Sequence, residues 1–253
     1  MNTVTVGWPL AVLLALLTAA AASVVRVGGL ARARSIVIAA LRAVLQLLAV
    51  SAVIALVLRS LWLTAAFLLV MVGVAAATSA HRITGSLRPR SWITAVPILV
   101  GLLPVLAAIL ASGALPPEPI AILPMAGILI GGAMTATSIS GRRLVEELTA
   151  QRGSYEAALS VGLTRREAVT VVAREAAGLA LLPGLDQTRT VGLVTLPGAF
   201  VGVLLAGASP VQAGAVQLLV LIGLLLVQSL AVVTVVELVS AGLLAVGGAP
   251  LPA

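Results

Sequence analysis

Long, continuously apolar runs alternate with short polar stretches along this chain. The runs cover Val6 to Val25, Ile36 to Leu58, Leu61 to Ala80, Trp92 to Ala111, Ile120 to Ile139, Gly178 to Ala206 and Gln212 to Leu244. A bilayer core of ~30 Å is crossed by about 20 helical residues, and each run is long enough. In lipid every backbone polar group needs an internal partner, which leaves only helices and closed barrels. Barrel strands alternate apolar and polar residues, whereas these runs are unbroken in Leu, Ala and Val, so they predict helices. The expected fold is therefore all-α: a polytopic transmembrane helix bundle of about seven spans, one domain over residues 1–253. Two Pro-Gly pairs interrupt the sixth run, and a re-entrant segment there would change the count.

Charge fixes the orientation. Of 253 residues, 61% are hydrophobic and 9% charged, against about 25% charged in soluble chains. Arg26, Arg32 and Arg34 follow the first run, and only Arg59 follows the second. His81, Arg82, Arg88 and Arg90 follow the third, and Glu118, in a Pro116-Pro117-Glu118-Pro119 turn, follows the fourth. After the fifth comes a polar segment, Gly141 to Ala177, with Arg142, Arg143, Arg152, Arg165, Arg166 and Arg174; after the sixth, Ala208-Ser209-Pro210 is uncharged. The positive-inside rule then places the N-terminus outside and the C-terminus inside. A net charge of +7 could suit nucleic acid in a soluble chain, but here the arginines lie between spans, so no nucleic-acid partner is expected. With no cysteine, disulfides and thiolate metal sites are excluded. Met1 to Gly7 has no basic residue ahead of the first run, which argues for a retained helix rather than a cleaved signal.

The excursion over 141–177 is expected to be cytoplasmic and helical in pieces. Leu144, Val145 and Leu148 share one face of the first piece, opposite Arg143, Glu146 and Glu147. Arg152-Gly153-Ser154 marks a break, with Ser154 as the N-cap of a short helix from Tyr155 to Val161 that ends at Gly162. Thr164 caps the next helix, and Glu167, three residues on, completes a capping box. Helix, glycine turn, helix between two spans is the layout of a coupling element; the plainer reading is a solvated loop. Glu156-Ala157-Ala158 followed by Gly162 resembles the front of the EAA loop in permeases of ABC importers. The Leu-Pro that follows there comes late here, as Leu182-Pro183, so the loop is not of the standard importer kind.

Two stretches carry a more specific resemblance: Leu41-Arg42-Ala43-Val44-Leu45-Gln46-Leu47-Leu48, and Tyr155 to Gln217, including Pro183-Gly184-Leu185-Asp186-Gln187-Thr188-Arg189-Thr190 and Leu196-Pro197-Gly198. Together they resemble the bacterial iron-export ABC permease family, whose relatives include plant aluminium-tolerance membrane proteins. The resemblance implies a multi-pass permease of the plasma (inner) membrane, a permease homodimer surrounded by lipid, and a separate ABC ATP-binding subunit. It also associates the family with metal export. The chain has no lysine and hence no P-loop, so it cannot be the ATPase. ATP and Mg would sit on the partner, and no cofactor is expected on this chain.

The expected ATPase-coupling surface is Tyr155, Glu156, Ala157, Ala158, Gly162, Thr164, Arg165 and Arg166. Candidate pathway or gating residues are those polar or helix-breaking positions that are costly within a bilayer. Arg42 and Gln46 lie one turn apart in the second span, where Arg42 either lines the pathway or snorkels to the headgroups. Asp186 and Arg189 either pair across one turn or act on the substrate. Pro197 and Gly198 break the sixth run, and Glu237 lies near the inner end of the last. No metal ligands are assigned: Met125 and Met134 suit packing, and His81 stands alone. A self-contained secondary transporter or channel is the alternative. A membrane enzyme finds no catalytic constellation to support it.

Overall fold

The computed structural model describes residues 7–30, 32–85 and 91–244. Among them ten α-helices follow one another: α1 (Trp8–Val27), α2 (Ala33–Val57), α3 (Leu61–Thr84), α4 (Ala95–Ala111), α5 (Pro119–Ala150), α6 (Arg152–Ser160), α7 (Arg165–Gly178), α8 (Leu182–Thr190), α9 (Gly198–Leu205) and α10 (Pro210–Ser240). Short 3-10 turns at Ser91–Thr94 and Leu179–Leu181 lead into α4 and α8. Seven segments are long and apolar enough to cross a membrane, so the protein is a multi-pass helical membrane protein. Arg88, Arg90 and most of the Met1 to Gly7 leader lie outside the described residues.

The chain forms two compact units, Met1–Arg59 and Ser60–Ala253. In the first, α1 and α2 pack on each other, and their outward leucines and valines are suited to lipid. In the second, α3, α4, α5 and α10 share a core of Val72, Ile98, Leu102, Leu129, Ala133, Val220 and Val227. Small residues let the backbones meet, as helix packing in membranes favours. A Cβ on Gly101 would lie 2.7 Å from the Val227 carbonyl oxygen, and one on Gly132 would collide with Leu224. Gly127 faces Met71, but Gly131 faces open space and has no such role. Hydroxyls bridge the same helices: Thr94 Oγ1 donates to the Ala76 carbonyl at 2.7 Å, and Ser138 Oγ to Ser79 Oγ at 3.1 Å. Met125 is buried in this core, as packing requires.

The sixth crossing differs from the sequence expectation. It is not Gly178 to Ala206 but Arg165–Thr190, where α7, the 3-10 turn and α8 run on without a loop. Pro183 is tolerated because it falls in the first turn of α8, where no intrahelical bond needs its missing N–H. The Pro197-Gly198 break instead opens α9, whose eight residues extend only ~12 Å and cannot cross. Residues 191–209 form a separate segment after α8, in which the first turn of α9 lies beside Gln217 of α10.

The polar segment 141–177 is helical in three pieces, the end of α5, α6 and most of α7. Helix α5 continues through Gly141 to Ala150, about 48 Å in all, well beyond a ~30 Å core. The break falls at Gln151 (φ −102°, ψ 33°), which closes α5 and opens α6, so Ser154 lies inside α6 and is not its cap. The final span is Pro210–Ser240, begun by a Ser209–Gln212 capping box. A second core gathers Leu144 and Leu148 of α5, Tyr155 of α6, Ala168 and Val169 of α7, and Val235 and Val239 of α10.

Candidate functional site

The elements on either side of Gly162 are set by local sequence. Helix α6 stops in a Schellman motif: Gly162 N–H donates to the Leu159 carbonyl at 3.0 Å and Leu163 N–H to the Ala158 carbonyl at 3.2 Å. Gly162 takes φ +92°, a conformation that costs other residues energy. Two residues later the expected capping box forms. Thr164 N–H donates to Glu167 Oε2 at 2.8 Å, and Glu167 N–H donates to Thr164 Oγ1 at 3.3 Å. The turn between α6 and α7 is therefore held from both sides.

On this hairpin Glu156, Ala157, Gly162, Thr164 and Arg166 are exposed, while Ala158 and Arg165 are half-buried. Tyr155 does not share that surface. It is 1% exposed, sunk among α5, α7 and α10, with its hydroxyl buried and unbonded. It anchors α6 rather than presenting a contact. Glu156 is steadied by Arg152, whose Nε lies 2.7 Å from Glu156 Oε1.

Two residues assigned to different roles from the sequence are brought together here. Arg166 Nη2 donates to Glu237 Oε1 at 2.8 Å, joining the start of α7 to the end of α10. Beside it the Arg165 guanidinium lies against Gly242, where a Cβ would meet Nη1 at 2.9 Å. Between α7 and α10 a cavity of about 110 Å³ is lined by Thr170, Arg174, Gly178, Val232, Val233, Val236 and Glu237.

The other candidates stand apart. Asp186 and Arg189 pair at 3.6 Å in the second half of α8, both exposed, which fits the pairing alternative. Pro197 is the N-cap of α9 and Gly198 its first residue. Arg42 and Gln46 are exposed on α2 in the smaller unit. Among the described residues no group of three His, Cys, Asp or Glu side chains could hold a metal.

Two amides escaped the reading of the sequence. Gln217 of α10 is 3% exposed, and its Oε1 accepts the Phe200 N–H of α9 at 3.2 Å. Gln228, about three turns further along the same face, presses its amide against Gly184 of α8 and leaves Oε1 without a partner. Their signal was a pair of polar residues on one face of an otherwise apolar span.

Seven helical segments of lipid length among the described residues define a multi-pass membrane protein. The chain belongs to the uncharacterised protein family UPF0014, whose model matches residues 8–244. It is 39% identical over 160 residues to the UPF0014 membrane protein STAR2 of Oryza sativa subsp. japonica, covering 63% of this chain and 55% of that protein. It is 34% identical to the protein ALUMINUM SENSITIVE 3 of Arabidopsis thaliana over 63% of this chain and 58% of the relative. Against the probable iron export permease protein FetB of Escherichia coli (strain K12) the identity is 33%, over 54% of this chain and 53% of FetB. The chain thus spans about half the length of these curated relatives. No solved structure matches it.

Proposed function

We propose that this chain is the permease subunit of an ATP-driven ABC transporter, exporting a metal ion such as iron or a related solute. In this reading 1–253 acts as one permease domain within a homodimer, embedded in lipid and served by a separate ABC ATP-binding subunit. The observation that carries it is the build of α6. Glu156 and Ala157 of the helix and Gly162 just past its end are exposed, while Tyr155 roots the helix in a core shared with α5, α7 and α10. A surface lever so rooted has the form of a docking helix. Small side chains at Ala157 and Gly162 let another protein's surface come close, and the fixed turn at Thr164 keeps lever and span moving together.

The mechanism follows from those connections. Closure of the ATPase dimer on ATP and Mg would push α6, and the capped turn would pass the push to α7. Arg166 would carry it to α10 through Glu237, so that the spans rock between inward- and outward-facing arrangements. Glu237 on this account serves transmission, not cargo contact. Asp186, Arg189, Pro197 and Gly198, about the junction between α8 and α9, flank the pathway in this reading. The metal as cargo is supported by the likeness to the probable iron export permease protein FetB of Escherichia coli. The test is metal flux in inverted vesicles holding the permease with its ATPase. ATP-dependent uptake that stops when the ATPase is left out supports the reading. Metal-gradient or proton-driven flux without any ATPase would replace it with a self-contained transporter.

A further inference from the structure

Gln217 lies in the outer third of α10, about 10 Å along the helix from Pro210, and is 3% exposed. An amide buried in an apolar span is costly unless it is bonded. Its Oε1 takes one bond, from the Phe200 N–H at 3.2 Å. Among the described residues this is the sole side-chain hydrogen bond holding α9 to the rest of the protein. The other side chains of α9 are apolar. Beside the bond lies a cavity of about 340 Å³, lined by Val191, Leu196, Pro197, Phe200, Gln217 and Leu218. It leaves room for α9 to shift on α10. At its other end, about 30 Å along the same unbroken helix, α10 is held by Arg166 through Glu237.

We infer that Gln217 is a positioning residue, the latch of an outer gate formed by α9. Its amide holds α9 on α10 in the resting arrangement, and movement of α10 driven from the cytoplasmic end releases it. This rests on the ATP-driven reading above for the source of the movement, but the latch itself does not.

The chain has no cysteine, so a single thiol can report on α9. Ala199→Cys places one in the first turn of α9 without disturbing the Phe200 backbone. Its labelling from outside by a membrane-impermeant maleimide is followed in the full transporter, without nucleotide and trapped with ATP and vanadate. Trapping raises the labelling rate about five-fold, the population change that loss of one net hydrogen bond allows. Gln217→Leu gives the fast rate without nucleotide; Gln217→Glu, which keeps an acceptor for the Phe200 N–H, restores the slow one. Slow labelling in Gln217→Leu overturns the latch, and so does fast labelling in Gln217→Glu. An ATPase that binds and hydrolyses while trapping leaves the rate unchanged overturns the gate. Failure of any ATPase to bind defeats the transporter reading instead, and the comparison of the three proteins without nucleotide still decides whether Gln217 holds α9.

Discussion

Gly162 and Gly153 belong to the same hairpin, and adding one methyl to each should have opposite effects. At Gly162 the backbone sits at φ +92° and an added Cβ meets no atom within 4 Å. Alanine there brings no clash, only the left-handed backbone cost of ~1–2 kcal/mol. Part of this is offset because alanine also stiffens the unfolded chain, by ~0.4–1 kcal/mol, leaving a net loss of about 1 kcal/mol. Gly153 lies within α6 in helical conformation, again with nothing within 4 Å of an added Cβ. Alanine there should stabilise by ~0.5–1 kcal/mol. The two variants are therefore separated by about 1.5–2 kcal/mol, or ~3–8 °C in Tm for a domain of this size. Thermal unfolding of the purified variants reads the difference, and tryptic cleavage at Arg165 and Arg166 should quicken in Gly162→Ala alone. Equal shifts of one sign in both would refute the claim that Gly162 is there for its conformation.

Three further outcomes follow from particular contacts. Tyr155→Phe should be neutral or slightly stabilising because the hydroxyl has no partner, whereas Tyr155→Ala should cost ~3–5 kcal/mol; chemical unfolding separates them. Arg166 and Glu237 have side chains 70% and 47% exposed, so their pair adds no more than about 1 kcal/mol to stability. Reversing either charge should lower metal-stimulated ATP hydrolysis while reversing both restores it, and failure of the double reversal would remove the link from the mechanism. Gly101→Ala should cost ~1–3 kcal/mol, because its Cβ must push α4 off the Val227 carbonyl. Gly73→Ala, with open space around it, is the matched control and should show no loss in a thermal shift assay.

Most of the span pattern was legible because lipid leaves the chain little choice: a run as apolar as Leu61–Thr84 can only be a buried or lipid-facing helix. The α6–α7 turn was legible for a local reason, since Gly162, Thr164 and Glu167 act on backbone within a few residues of themselves. The sixth span was misplaced because two Pro-Gly pairs look alike in sequence. Pro183 enters a helix already under way and Pro197 starts a new one, and only packing of the preceding residues distinguishes them. Ser154 was misread as a cap because α5 continues far past the membrane, which shifts the break to Gln151. The inward turn of Tyr155 and the Arg166–Glu237 pair depend on residues distant in sequence. Gln217 and Gln228 were overlooked because single amides barely alter the apolar character of so long a helix.

The central claim is that the α6–α7 hairpin receives an ATPase. Co-expression with the ABC ATPases encoded in the same genome, followed by co-purification, tests it with wild type and Gly162→Pro side by side. Proline holds φ near −65° and cannot take the +92° this turn uses. The account predicts that one ATPase is retained by the wild type and lost from the variant, with both permeases equally abundant in the membrane. Retention of the ATPase by both, or of none by the wild type, would contradict it.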